Sequence, residues 1–218
     1  MSNSRIVEYQ CPYCGTKFET EIYDSVTADE DEDLRDRCVS GDLFRTSCPH
    51  CKQDFMIQFP LVYIDRRNRF VLWLSETEPG EELVRQIAGP LAPAGYTLRR
   101  TPTLKEFTEK IQIFEDGADD RAVELAKYDS LIEFIDNKKG TAEDVTSIDY
   151  QKTENGVMKI NVRTGDKGMS FLIPVSMLEE EMEQNPERYR VDDASFPVIN
   201  AEWMIQLFES LEAEGMLS

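Results

Sequence analysis

Four cysteines of this chain fall in two pairs of identical spacing, Cys11-Pro12-Tyr13-Cys14 and Cys48-Pro49-His50-Cys51, with 33 residues between them. Four thiolates can close a tetrahedral shell around Zn²⁺, the usual arrangement of a structural site. The two-residue spacing lets a tight turn place both sulfurs of a pair on one side of the metal. Proline after the first cysteine of each pair fixes φ there. Gly15, directly after Cys14, permits the positive φ that turns backbone amides towards sulfur. Lys52 stands at the equivalent place after Cys51, where it must adopt that conformation or avoid it. A metal on Cys11, Cys14, Cys48 and Cys51 has no open coordination position, so the zinc expected here is structural rather than catalytic.

The same pairs also occur as thiol oxidoreductase active sites, where the first cysteine sits at a helix N-terminus that lowers its pKa. Here both pairs are followed by alternating strand patterns, and neither lies in a βαβ frame. Structural zinc is therefore the leading expectation and a thiol oxidoreductase the alternative. Cys38, the fifth cysteine, lies four residues after Leu34 and reads as a small core residue on the inner face of a helix. His50 is the only histidine of the chain, which leaves little material for a Cys-His or Ser-His-Asp constellation.

The elements that must carry these cysteines follow from periodicity. Residues 5–24 read as two short strands around the first pair, with Phe18, Thr20 and Ile22 alternating against polar neighbours. A helix is predicted near residues 29–40, begun by acids and ended at Gly41. It accounts for a gap longer than the usual zinc-ribbon spacing of about 15–20 residues. A strand over Leu43–Ser47 leads into the second pair, and Phe55, Ile57 and Phe59 continue as a strand. Leu61–Asp65 and Phe70–Leu74 form a hairpin whose unbroken apolar runs predict burial on both faces.

From Pro79 the period changes. A helix with Leu83, Ile87 and Ala88 on one side precedes a Gly/Pro-rich loop, residues 89–95. Thr101-Pro102 reads as the N-cap and first residue of a helix bearing Leu104, Phe107, Ile111 and Phe114. A further helix over 119–138 carries Ala122, Leu125, Ala126, Leu131, Ile132 and Ile135 as core candidates. After Gly140 a hairpin turns at Asn155-Gly156, a second turn spans Gly165–Gly168, and Met169–Pro174 is a strand. Helices at about 175–184 and 200–214, the latter capped by Asn200, end the chain. The expected class is α+β: a zinc-ribbon-like antiparallel β module with an inserted helix (1–78), a helical segment (79–140), and an acidic part with an antiparallel sheet and helices (141–218).

The charge sets limits on partners. Against 43 Asp and Glu stand 24 Lys and Arg, a net −19. Residues 141–218 alone carry 16 acids and 6 bases. Broad contact with phosphate backbones or anionic lipid needs clustered Lys and Arg, so neither is expected. One local exception is Arg66, Arg67 and Arg69 near the hairpin turn, with Arg99 and Arg100 as a smaller group; these keep a nucleic-acid-binding ribbon as a further alternative, with Tyr63, Phe70 and Trp73 read as core. Asp29, Asp31 and Asp33 resemble the start of an EF-hand loop, but Leu34 replaces its glycine and Ser40 its bidentate glutamate. They read as a solvated helix start. The acids among Asp116–Asp120 read as caps of the following helix, and Glu179–Glu183 as an exposed helix face. With no apolar run of about 18 residues and no apolar segment at the N-terminus, the expectation is a cytoplasmic protein off the membrane.

Cys11-Pro-Tyr-Cys14-Gly15, Cys48-Pro-His-Cys51 and the stretch Asp33–Phe44 before the second pair resemble the CpXC domain family. Leu61–Asp65, Phe107–Gly117 and Asp120-Arg121 are similar to it as well, so the resemblance covers roughly residues 8–135. The family is bacterial and archaeal with no assigned function. It implies a metal role for Cys11, Cys14, Cys48 and Cys51, and Lys52 departs from the glycine the family often has. A non-enzymatic binding or scaffold module is expected, with a protein partner or a second copy of the chain as its counterpart.

Overall fold

The alternation on either side of the first cysteine pair folds into a hairpin, β1 (Asn3–Gln10) against β2 (Lys17–Thr27), antiparallel with Tyr9 opposite Phe18. The computed structural model in which it is seen describes residues 2–137, 139–154, 156–165 and 167–213, without the side chains of Leu83, Glu212 and Ala213. Leu83 in the expected helix stripe, Asn155 and Asp166 in the expected turns, and residues 138 and 214 at expected helix ends thus lie outside the described residues.

Only the last residues of β2 reach the rest of the sheet. Ser25–Thr27 pair in parallel with Val62–Ile64 of β5 (Leu61–Asp65), so most of the hairpin projects as a two-stranded arm. β5 pairs antiparallel with β6 (Phe70–Leu74), which is buried along its whole length, as its unbroken apolar run requires. β6 pairs in parallel with β7 (Thr97–Thr101), giving a five-stranded sheet in the order β1-β2-β5-β6-β7. Sequence periodicity does not reveal β7. Its central residue Arg99 is a charge buried in the core, which erases the apolar alternation that marks a strand.

Between the cysteine pairs lies α1 (Glu32–Ser40), which buries Leu34 and Cys38. Asp31 caps it by accepting the Leu34 amide, and Gly41 ends it at φ 79°. The helix starts later than residue 29 because β2 runs on to Thr27 and residues 28–30 form the turn. Leu43 and Phe44 belong to a one-turn 3-10 helix rather than to the strand, which is confined to β3 (Arg45–Ser47). β3 pairs with β4 (Asp54–Met56) as a separate two-stranded ribbon. Ile57 and Phe59 follow that strand as buried anchors instead of extending it.

Two helix boundaries also differ from expectation. The helix after Pro79, α2 (Glu81–Leu91), continues through Gly89-Pro90. Proline's fixed φ suits a helix, and in the final turn it removes only one hydrogen bond. The turn still closes through the Ala92 amide on the Ala88 carbonyl, 2.9 Å, and Gly95 at φ 79° takes the chain out. The next helix, α3 (Leu104–Glu115), is capped by Thr103 rather than Thr101, which closes β7. Glu106 N–H donates to the Thr103 hydroxyl at 3.2 Å while Thr103 N–H donates to the Glu106 carboxylate at 3.1 Å. That reciprocal pair is a capping box, and its Thr-x-x-Glu signature is legible in the sequence.

The chain divides into two compact units between Gln112 and Ile113, inside α3. The first holds the five-stranded sheet, both cysteine pairs and α2, together with residues Asp192–Val198 from much later in the chain. The second contains α4 (Asp120–Asp136), the antiparallel sheet of β8 (Ser147–Lys152), β9 (Val157–Thr164) and β10 (Lys167–Pro174), and helices α5 (Val175–Gln184) and α6 (Ala201–Ala213). Its core gathers Ala122, Leu125, Ala126, Met158, Ile160, Leu178 and Met204. Ile132 of the expected α4 stripe is instead exposed, and Val123, Ser130 and Phe134 are buried. Asp119 caps α4 and Asn200 caps α6, as their positions suggest. The α+β class is thus realised, with two parallel strand pairs in the first sheet.

Candidate metal centre

Each cysteine pair sits on the turn of a hairpin, and the two turns have the same backbone. In the first, Cys11 N–H donates to the Thr16 carbonyl and Gly15 N–H to the Cys11 carbonyl, both at 3.0 Å. In the second, Cys48 N–H donates to the Gln53 carbonyl at 3.0 Å and Lys52 N–H to the Cys48 carbonyl at 2.9 Å. Gly15 has φ 73° and Lys52 φ 60°, so the lysine adopts the left-handed conformation that its place demands. A Cβ costs roughly 1–2 kcal/mol in that region. Gly15→Ala should therefore destabilise the protein by about 1 kcal/mol, whereas Lys52→Gly should leave stability equal or slightly raised. Urea unfolding of both variants checks the pair; equal losses would mean that the second turn is not strained.

The hairpin turns bring all four sulfurs to one point. Cys11 Sγ lies 3.7 Å from Cys51 Sγ, and Cys14 Sγ lies 3.7 Å from Cys48 Sγ. All four sulfurs lie within 4.8 Å of one another. A tetrahedral ion with bonds of about 2.3 Å to sulfur has S···S edges of about 3.8 Å. A disulfide needs about 2.05 Å, and the four cysteines are free thiols. The donor set and its spacing fit a tetrahedral metal ion, with one ligand pair from each hairpin. Cys11 and Cys48 are buried, whereas Cys14 and Cys51 approach the surface.

The backbone is aimed at the sulfurs. Hydrogen bonds from the Thr16 hydroxyl and the Thr16 amide hold the Cys14 thiol down at about 5. The Cys51 and His50 amides lower Cys48 against the opposing effect of burial. The Gln53 amide draws Cys51 down too, but burial and its three sulfur neighbours outweigh it and leave that thiol at about 12. One ionised sulfur thus discourages the next, and a cation is what allows four neighbouring thiolates to coexist. Thr16 and Gln53, each two residues beyond the second cysteine of a pair, are contributors that the cysteine pattern alone does not name.

Below the sulfurs the hairpins share an aromatic floor. Phe55 of β4 stacks on Tyr9 of β1 at 5.8 Å and meets Phe18 and Tyr13 edge-on at 6.3 and 6.1 Å. The alternation of Tyr9, Phe18 and Phe55 therefore serves the junction between the two turns. α1 delivers the chain to the second turn, and Phe44, buried against Phe59 and Phe107, fixes the start of β3.

The other residues singled out by type play different parts. Cys38 is fully buried, and burial pushes its thiol up to about 12, which suits a core residue. The His50 side chain is exposed, and only its backbone amide serves a sulfur. Arg66 is ion-paired with Asp29 and Glu30, so those acids brace the hairpin turn, while Asp31 caps α1. Arg99 is buried and Arg100 is half-buried, donating to the Ser75 and Glu76 carbonyls at 3.3 Å. Tyr63, Phe70 and Trp73 are core. Among the described residues no helix is long and apolar enough to cross a membrane.

The family model described as CpXC protein matches residues 9–127, more than half of the chain and the whole of both cysteine turns. No curated protein and no solved structure matches.

Proposed function

This chain belongs to the CpXC protein family, and on that premise we propose that it is a cytoplasmic zinc protein acting as a non-enzymatic binding or scaffold module. The observation that carries the reading is the gathering of Cys11, Cys14, Cys48 and Cys51 within 4.8 Å. Four sulfur donors in a tetrahedral arrangement favour zinc or iron among the common metals. A saturated sulfur shell leaves no position for a substrate, which supports a structural rather than a catalytic ion. When bound, zinc would supply a crosslink between the two hairpins, and the residues that hold it would be these four cysteines, braced by the Thr16 and Gln53 amides.

The test is elemental analysis of protein purified without added metal. One zinc per chain, in colourless protein, is expected. Protein that is folded and metal-free, or that carries iron with visible colour, would overturn the zinc assignment. The low-lying Cys14 thiol is the one observation that favours a thiol oxidoreductase instead. That reading requires a metal-free native state in which Cys14 reacts with an alkylating agent at low pH, so zinc in every copy rejects it. The nucleic-acid reading is weakened by Arg66, whose charge is already met by Asp29 and Glu30. The 16 acids against 6 bases in residues 141–218 favour a basic or neutral protein partner.

A further inference from the structure

The four clustered cysteines are not equally accessible. Cys11 and Cys48, the first of each pair, are 2% and 0% exposed. Cys14 is exposed and Cys51 half-buried. Each hairpin thus contributes one inner and one outer cysteine. Sulfur contacts cross between the hairpins: outer Cys14 lies 3.7 Å from inner Cys48, and outer Cys51 lies 3.7 Å from inner Cys11. Cys38, fully buried in α1, is not part of this cluster.

Oxidation of a cysteine follows its thiolate character and its exposure, and a second thiol in reach captures the sulfenic acid as a disulfide. Metal-bound cysteines are thiolates, so exposure separates the four. We propose that Cys14 is a peroxide-sensitive site resolved by Cys48, and that its oxidation releases the metal while a disulfide keeps the two hairpins tied. The inference rests on the zinc reading and adds a redox regulation of that same site.

The chemistry balances with hydrogen peroxide as the oxidant. The Cys14 sulfur gives an electron pair to one peroxide oxygen, the O–O bond breaks, and the other oxygen takes a proton and leaves as water. The Cys48 sulfur then attacks the Cys14 sulfur, the S–O bond breaks, and that oxygen takes a proton and leaves as a second water. Two thiolates, two protons and one peroxide give one disulfide and two waters. The ion would lose two of its four ligands, and a dithiol reductant would restore them by thiol–disulfide exchange. The pairing matters because β3 and β4 pair only with one another. A Cys14–Cys48 bond joins that ribbon to the first hairpin, whereas a bond within either C-P-x-C pair would leave the two unlinked.

The test uses the full chain as purified, with its zinc. One equivalent of hydrogen peroxide is added, zinc release is followed with a chromophoric chelator, and the remaining thiols are alkylated before non-reducing digestion with trypsin. Cleavage after Lys and Arg places Cys11 and Cys14 in peptide 6–17, Cys48 and Cys51 in 46–52, and Cys38 in 38–45. The expected result is one zinc released per disulfide. Peptide 6–17 should be crosslinked to 46–52, with alkyl groups on Cys11 and Cys51, and at least tenfold more abundant than either peptide carrying an internal disulfide. Dithiothreitol should restore zinc binding. Zinc retained with all four thiols intact, or release accompanied by internal disulfides or by sulfinic acid, would overturn the proposal. Metal-free protein at the outset would overturn the zinc reading alone, because the same peptide map still decides how the cysteines pair.

Discussion

Replacing Cys48 with serine is expected to weaken metal binding about a hundredfold and to loosen the β3–β4 ribbon, while the β5–β6–β7 part of the sheet keeps its fold. Structural zinc in small peptides binds with about 10–16 kcal/mol, so each of four ligands accounts for about 3 kcal/mol, or about two decades in affinity. The local consequence follows from how little else holds the second turn. β3 and β4 are three residues each and pair only with one another. A two-stranded ribbon is at best marginally stable by itself in water. Besides the cysteines, its ties to the first hairpin among the described residues include the contacts of Phe55 with the aromatic floor and a 3.4 Å contact between the Thr20 and Thr46 hydroxyls. The central strands have their own support, because β6 is buried throughout and lies between two strand neighbours. Competition with a metal indicator measures the affinity, and hydrogen exchange locates the loosening. A Cys48→Ser protein that holds zinc as tightly as the parent would remove Cys48 from the ligand set. Loss of the whole sheet on chelation would show that the metal supports far more than the two turns.

Phe107→Ala is expected to be the most costly single core change in the first unit, at about 3–5 kcal/mol. The side chain is fully buried in α3 and meets two other buried rings edge-on, Phe44 at 5.9 Å and Tyr63 at 6.0 Å. Each such ring pair adds about 0.5–1.5 kcal/mol beyond the area it buries. For a chain of this size the melting temperature should fall by roughly 6–20 °C. The effect should also reach the metal centre. Phe44 immediately precedes β3, and its carbonyl accepts the Ile57 amide just after β4, so it holds both ends of the second hairpin. Metal affinity of the folded variant should fall several-fold, much less than for Cys48→Ser. Phe107→Leu should recover a large part of both losses. A cost below about 1 kcal/mol would show that this contact between helix and sheet is not tightly packed.

The cysteine cluster, the candidate metal site, was legible from the chain alone because its signal is local. Two C-P-x-C turns need only a few adjacent residues to form, and the strands beside them declare themselves by alternation in Phe18, Thr20 and Ile22. Gly41 as the end of α1 and Asn200 as the cap of α6 are equally local, since a cap is a contact between residues three or four apart. Thr103 and Glu106 carried the same kind of signature, but Thr101-Pro102 offered a competing one two residues earlier. Only the strand pairing of Thr101 with Leu74 separates the two.

The remainder depended on contacts between distant residues. Whether Lys52 adopts a left-handed backbone is decided by the hydrogen bond that closes its turn, not by lysine's own preference. β7 stayed hidden because Arg99 spends its charge on Asp193, 94 residues further on, and a buried arginine makes the strand look polar. The same separation conceals residues 192–198, whose Pro197 carbonyl accepts the Arg100 amide of β7: no local pattern in them says that they belong with a sheet formed by residues before 102. The amino-acid sequence by itself determined the four cysteines that cluster, most of the elements that carry them and the excess of acidic residues. The tertiary structure decided how far apart the sulfurs stand, which charges are already paired and what covers the last strand, because those are properties of residues that meet only once the chain has folded.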